Sequence, residues 1–587
     1  MCGIFGFVSQ SRRPSSTVLE GLRYLEYRGY DSWGVAVAED CRIRADKNVG
    51  PITDASTTLP AATAALGHTR WATHGAVTRD NAHPHLDCQG RFALIHNGIV
   101  ENYRELGARL GSNHVFRSQT DTEVLVHLLE EEMPRHGDLL EALLAVFREV
   151  EGLSAVAVLD AARGEIAVAK NGSPVALGIG EDGYYLASDP IALLDHTRTV
   201  VFLEDGQAAI LTGSGWRVCR VSSGETIDPE LRVVAWDTRQ AGLDGHAHFM
   251  DKEIHEQPRV LQALAERSDR SVTVLADMIK QARDVYLIGC GTSHHAALSG
   301  RYMLAEMGGV RSTAVVASEM SLITPHLGAG SLIIAFSQSG ETVDVIEAVR
   351  AARSAGAEVA AVVNGEGSSL DRLADHTVLL STGPERCVLA TKSYTAMLAV
   401  MQMAARAAAG DAERGIQEIR DAGYRVGALL DRERIHGTVR DTAHAIGDRQ
   451  HMFVLGRHRC YPLALEAALK IKEVSYLHAE GFASGELKHG VIALITNGTP
   501  CLVLAPDGDY RREALAAAAE VRARGAFTVG FSPQSETEFD VTLPLSGSCS
   551  SAYEIAVLAQ LLAYELALLR GCDPDKPRNL AKSVTVK

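Results

Sequence analysis

Excess basic charge, long apolar runs and paired cysteines are what this sequence has least of. Its 587 residues carry 57 lysines and arginines against 73 aspartates and glutamates, a net charge of −16. That balance argues against nucleic acid or an anionic membrane surface as the main partner, since both reward clustered positive charge. Small anions are not excluded, because a local set of donors can hold a phosphate on an acidic protein. No segment reads as long and apolar enough to span a bilayer. The opening MCGIFGFVSQ lacks the basic leader and apolar core of a signal peptide. Ten cysteines are scattered without a CxxC pair or a zinc-ligand spacing, so they read as reduced thiols of a cytoplasmic protein.

What is present is a chain too long for one core, with a change of texture near its middle. Residues 1–235 hold short apolar runs broken by turns (GIFGFV, WGVAVA, FALIHNG, SAVAVLD), the pattern of an α+β domain in which strands outnumber helices. The stretch 236–249 loses periodicity and reads as a linker. Beyond it come apolar strands, Gly- or Ser-bearing turns and alanine-rich helices. That texture appears twice. VYLIGCGTSHHAALSG matches MFVLGRHRCYPLALEA in pattern, and LIIAFSQSGETVDVIEAVRAA matches CLVLAPDGDYRREALAAAA. Two copies of a parallel-sheet αβα unit are predicted over 250–411 and 450–575, bridged by helices over 412–449 and followed by a tail, 576–587.

Chemistry-bearing residues collect in two places. In the first 125 residues the loops EYRGYDSWG, GHTRWATHG, HNGIVENY and SQTDTE all fall at predicted strand ends. Loss of Met1 would put Cys2 at the chain start, where its own α-amino group, titrating near pH 8, can serve as base to the thiol. Arg70 and Asp121 suit the carboxylate and ammonium of an α-amino acid, while Trp71, Thr73 and His74 can shape the pocket. Asn97 and Gly98 can donate to a tetrahedral oxyanion, roughly 3 kcal/mol per donor. In the repeat, Ser337-Gln338-Ser339-Gly340-Glu341-Thr342 follows a buried strand and opens a helix, a phosphate cradle of hydroxyls and backbone N–H groups. Thr292 and Ser293 stand at the equivalent turn of the preceding strand. The second copy has APDGDY where the first has SQSGET, so the fold tolerates losing these hydroxyls. Glu466, Lys470 and Glu473 share one face of the next helix, and Glu486, Lys488 and His489 follow in the loop GFASGELKHG.

These motifs resemble the glutamine–fructose-6-phosphate aminotransferase (isomerising) family along the whole chain. The N-terminal part resembles Ntn-type class II glutamine amidotransferase domains in general, and SQSGET resembles the sugar-phosphate motif of SIS domains. The resemblance implies Cys2 as nucleophile, framed by Arg28 and Gly29, with Asn97 and Gly98 as the oxyanion hole. It implies glutamine held by Arg70, Asp121 and the loop of Trp71, Thr73 and His74, with Trp71 gating an ammonia channel. For the sugar it implies ring opening by His489 and proton transfer between carbons 1 and 2 by Glu473, with Lys470 assisting. It also implies that Val388 lines the sugar loop. The tail DKPRNLAKSVTVK matches the family's C-terminal signature, so Ala581 and Lys582 reach the sugar, Lys582 as the amine that engages its carbonyl. The partners implied are L-glutamine, a ketose phosphate and a second copy of the chain through the SIS halves. No metal or redox cofactor is called for, because the bond changes are proton transfers and imine chemistry. Several positions depart from the family: Trp33 in YRGYDSWG, Arg386, Cys387, Leu389 and Ala390 in GPERCVLATK, and the stretches ASEMSLITP and HGVIAL. Amination of a different ketose phosphate is therefore the first alternative, and a non-catalytic sugar-phosphate sensor the remote one.

Overall fold

The computed structural model describes residues 2–234, 242–267, 270–547 and 551–585. Its contacts divide the chain into Met1–Ala241 with Ala581–Lys587, and Gly242–Leu580. Residues 236–241 of the expected linker lie outside the described residues.

The first unit is built on two antiparallel sheets, of eight and seven strands. Gly3–Arg13 and Ala62–Arg70 pair at the middle of one, and Phe92–Gly98 pairs with Ser154–Asp160 in the other. Between the sheets lies a core of Ile4, Val8, Leu66, Ile95, Ala157 and Val168, small and branched aliphatic residues that pack a pleated surface closely. The helix Ser16–Arg23 covers the outside of the first sheet, and Glu123–His136 with Leu139–Phe147 covers the second. Four layers result. Trp33 is buried in the outer core with Phe5, Leu22 and Val35, so this departure from the family fills a packing site.

The second unit carries the repeat. Each copy is a five-stranded parallel sheet, and the two have the same order. In the first it runs Ser312–Val316, Asp284–Gly289, Ser331–Ser337, Glu358–Val363, His376–Leu379; in the second, His478–Ala483, His451–Gly456, Pro500–Leu504, Phe527–Ser532, Val541–Pro544. The fold class is the one expected from the strand–turn–helix pattern. In both copies the middle strands are almost wholly buried, as parallel strands covered on both faces must be. The helices Ala412–Leu430 and Glu433–Ile446 connect the copies, and one continuous core takes residues from both. Ser551–Leu569 is one helix long and apolar enough to cross a membrane, against the sequence reading. However, 78% of its apolar window is buried inside the unit, where a core helix can be apolar on all sides.

Two candidate sites

In the first unit the central strands end at Cys2. Its half-buried sulfur accepts the Trp71 N–H at 3.1 Å, and its carbonyl accepts from Asn97 Nδ2 at 2.9 Å. Burial holds the thiol above its ordinary pKa, against the lowering pull of the Trp71 N–H and the Arg70 charge. Gly98 has φ +134°, and a Cβ there would lie 2.0 Å from the Leu153 carbonyl oxygen, so only glycine fits beside Asn97. Gly29 backs the Arg70–Trp71 peptide, where a Cβ would come within 2.7 Å of the Arg70 carbonyl carbon. Asp121, buried, accepts the Val100 N–H at 2.7 Å, which ties it to the end of the strand that carries Asn97. Arg70, also buried, donates to the carbonyls of His74 and, at 3.3 Å, Ala76, thereby shaping the loop after Trp71. Within that loop Thr73 is exposed, His74 stacks edge-on with Tyr103 and Trp71 edge-on with Tyr30. The Arg28 guanidinium pairs with Asp189 at 2.5 Å and donates to the Tyr27 hydroxyl oxygen at 3.1 Å, so its charge is spent inside the unit.

Sequence reasoning passed over His68, although GHTRWATHG contains it. Its Nε2 lies 3.1 Å from both the His96 carbonyl and Asn97 Oδ1. Both are acceptors, so Nε2 carries the hydrogen and fixes the Asn97 amide with its Nδ2 toward Cys2. His83 Nδ1 then donates to His68 Nδ1 at 3.1 Å. Burial pushes His68 down to about 3, far below the 6.5 of a free imidazole. The folded unit thus refuses a proton that the unfolded chain accepts. His68 contributes its stability above pH 6.5 and loses it as pH falls toward 3. Between pH 7 and pH 5 that loss reaches about 2 kcal/mol for His68 alone. All four tryptophans lie in Met1–Ala241, so their fluorescence reads this unit. The denaturant midpoint should fall between pH 7 and pH 5, and His68→Asn should flatten the fall; an unchanged slope in the variant would place the effect elsewhere.

In the second unit Ser337–Thr342 forms a tight loop between the strand Ser331–Ser337 and the helix Val343–Ser354. Ser337 Oγ accepts the Gly340 N–H at 3.0 Å and lies 3.1 Å from Thr342 Oγ1; Ser339 Oγ accepts the Glu341 N–H at 3.1 Å. Gly340, at φ +71°, could not carry a Cβ, which would fall 2.0 Å from Ser368 Oγ. Glu341 braces the loop from behind by accepting the Ser369 N–H at 2.8 Å. Thr342 stands at the helix start without a side-chain cap, so the first-turn N–H groups face outward with the helix dipole, as an anion requires. Gln338 is half-buried beside them.

The helix Cys460–Ser475 brings its charged face inward. Lys470 Nζ lies 2.8 Å from Glu473, 3.5 Å from Glu466 and 2.9 Å from Thr292 Oγ1. Thr292 donates to Glu466 at 3.0 Å, and His295 meets the other Glu466 oxygen at 2.8 Å. Thr292, expected at the phosphate, therefore has its hydroxyl engaged between the two copies, with Ser293 half-buried next to it. Burial opposes a charge on Lys470, but the two carboxylates outweigh it and hold the ammonium above its ordinary range. Val388 donates its N–H to the Asp575 carbonyl at 3.1 Å. Its loop is organised by two glutamates that sequence reasoning missed. Glu253 accepts the Arg386 and Cys387 N–H groups at 2.5 and 3.1 Å, and Glu385 accepts those of Thr391 and Ser393 at 2.9 and 3.1 Å. Arg578 N–H donates to Tyr476 at the end of the charged helix, so the segment leading to the tail runs from the Val388 loop to that helix. Ala581 and Lys582 are half-buried, and Ser583 and Thr585 are buried. His489 is exposed on the short helix Ser484–His489, where Lys488 pairs with Glu520 at 2.7 Å.

Residues 44–211 match the family described as glutamine amidotransferase domain, and residues 278–407 and 445–570 each match the SIS domain. Over 601 residues the chain is 40% identical to a glutamine–fructose-6-phosphate aminotransferase (isomerizing) of Methanothermobacter thermautotrophicus, and over 612 residues 41% identical to one of Thermus thermophilus. In both cases all of each chain is covered. Among solved structures, the C-terminal domain of glucosamine-fructose-6-phosphate aminotransferase from Francisella tularensis matches 57% of this chain and 99% of its own, at 29% identity and TM-score 0.52. A tagatose-6-phosphate ketose/aldose isomerase from Escherichia coli, 22% identical with TM-score 0.50 over 57% of this chain and 96% of its own, shares the fold. With two full-length relatives at this identity, the chain belongs to the glutamine–fructose-6-phosphate aminotransferase (isomerizing) family.

Proposed function

We propose that this protein takes ammonia from glutamine and uses it to convert fructose 6-phosphate into glucosamine 6-phosphate, releasing glutamate. The observation that carries the reading is the joint presence of a Cys2–Asn97 pair at a strand end and a buried Lys470 paired with the partly open Glu473 in the SIS repeat. The α-amino group of processed Cys2 takes the thiol proton, the thiolate attacks the glutamine amide carbon, and Asn97 Nδ2 and the Gly98 N–H receive the oxyanion. As the C–N bond breaks and the thioester forms, the α-ammonium returns that proton to the leaving nitrogen, which departs as ammonia. Water then attacks the thioester and glutamate departs. Arg70 and Asp121 hold the glutamine carboxylate and ammonium, with Trp71, Thr73 and His74 closing over it.

At the second site Ser337, Gln338, Ser339 and Thr342 hold the phosphate with the uncapped helix start. His489 opens the sugar ring, Lys582 engages the carbonyl beside Ala581, and Glu473 moves the proton between carbons 1 and 2. A homodimer through the SIS halves and a cytoplasmic location belong to the same reading. One observation favours a second substrate reading: Ala390 offers no side-chain oxygen in the sugar loop. One lost hydrogen bond weakens binding by about 0.5–1.5 kcal/mol, too little to reject fructose 6-phosphate. Incubation with glutamine and a panel of ketose phosphates, with products identified by mass and NMR, decides. Glucosamine 6-phosphate with stoichiometric glutamate is expected. Efficient amination of another ketose phosphate, with none of fructose 6-phosphate, would install the alternative.

A further inference from the structure

The outer helix of the N-terminal unit holds a side-chain cluster that amide transfer does not use. His127 and Glu130 lie one turn apart on Glu123–His136, and Cys88 and His114 reach them from two loops. Cys88 Sγ is 3.6 Å from His114 Nδ1 and 3.7 Å from His127 Nδ1. Glu130 Oε2 is 3.1 Å from His114 Nδ1 and 3.3 Å from His127 Nδ1. Ligands around a tetrahedral zinc, with bonds of about 2.0 Å to nitrogen or oxygen and about 2.3 Å to sulfur, stand about 3.3 and about 3.5 Å apart. The four separations follow that pattern, longer where sulfur takes part.

The hydrogen-bond logic favours an ion at the centre. If both imidazoles donated through Nδ1, one oxygen of Glu130 would accept from both rings and from the Cys88 N–H at 3.2 Å as well. Their bare Nε2 atoms would then face carboxylates: His114 Nε2 lies 3.3 Å from Glu131, and His127 Nε2 3.9 Å from Glu123. Protonating both rings instead would set two cations with centroids 4.8 Å apart. A cation removes the conflict. Both Nδ1 lone pairs then point inward, and both Nε2–H groups point at outer carboxylates, the arrangement that ordinarily orients metal-bound histidines. A thiolate and a carboxylate neutralise a divalent ion, which suits histidines that are 7% and 1% exposed.

We propose that Cys88, His114, His127 and Glu130 form a structural zinc site. Side chains fill all four positions, so the ion holds structure and activates no water. It ties the turn at Cys88 and the loop carrying His114 to the helix that follows Asp121 and Thr122, and so braces one wall of the amino-acid pocket from outside. Binding displaces the Cys88 proton to solvent.

The test reads metal on the full-length protein and needs no catalytic assay. After loading with Zn²⁺ and dialysis, elemental analysis should find zinc that Cys88→Ser and His114→Gln both lose, with affinity down at least about a hundredfold. Replacement by Co²⁺ should give intense tetrahedral d–d bands and a thiolate-to-cobalt charge-transfer band. Zinc should raise the unfolding temperature of the native chain and leave that of Cys88→Ser where it was. A native chain that holds no metal after dialysis, or a Co²⁺ spectrum without the thiolate band, would overturn the site. So would equal zinc in Cys88→Ser; should that variant fail to fold, the native Co²⁺ spectrum decides alone.

Discussion

Cys2→Ala should abolish glutamate release from glutamine while isomerisation of fructose 6-phosphate survives. The nucleophile is deleted outright, a loss of about 10⁴-fold or more where a covalent intermediate carries the reaction. The structural cost is small, because the half-buried sulfur makes one close contact from a backbone N–H, that of Trp71 at 3.1 Å. Asn97 keeps its bond to the Cys2 carbonyl, which any residue supplies, so the oxyanion hole stays assembled without anything to attack. The phosphate loop and the charged helix Cys460–Ser475 belong to Gly242–Leu580, a unit with its own core, and the sugar chemistry needs no thiol. An electrophilic glutamine analogue should label the native chain once, at Cys2. Labelling at any other cysteine, or glutamate release by the variant above a tenth of native, would remove Cys2 from the mechanism.

The sequence shows best what is local. Strand, turn and helix succeed one another closely along the chain in the repeat, as in Ser331–Ser337 and Val343–Ser354, so both sheets and the Ser337–Thr342 loop are readable from periodicity and turn residues alone. Glu466, Lys470 and Glu473 are legible for the same reason, since helical spacing puts them on one face. What escapes is anything assembled across the chain. Glu253 fixes the loop at Arg386–Cys387 from 133 residues away, and no spacing rule connects them. The zinc ligands begin at Cys88 and end at Glu130, with intervals that resemble no metal motif; folding, not sequence order, brings them together. Surroundings assembled in the fold escape as well: the sequence marks Trp33 as a departure from the family without showing that it is buried in the outer core, and it shows nothing of the bonds between Thr292, Lys470 and Glu466.

That same network divides the labour on the helix Cys460–Ser475, and Glu473→Gln tests the division. Glu466 is 3% exposed, with one oxygen on Thr292 and the other on His295, so it has nothing left to offer a substrate. Lys470 is held charged by the carboxylates on either side and is a poor base at neutral pH. Glu473 keeps a fifth of its side chain open (21%) while one oxygen meets Lys470. It alone of the three can both touch solvent-borne sugar and exchange a proton. Glutamine at this position has the same shape and still accepts from Lys470 through its carbonyl, but it carries no proton between carbons. Isomerisation and amino-sugar formation should fall by roughly 10²–10⁴-fold, the usual worth of a positioned acid–base. Sugar-phosphate KM should stay within about threefold, because the phosphate loop is untouched, and glutaminase activity should be unchanged. Glu466→Gln makes the contrast: it strips a buried countercharge from Lys470, so its main effect should be a lower unfolding temperature. Isomerisation by Glu473→Gln at more than a tenth of the native rate, or a loss of stability matching that of Glu466→Gln, would assign Glu473 to the scaffold and send the search for the proton carrier to another residue.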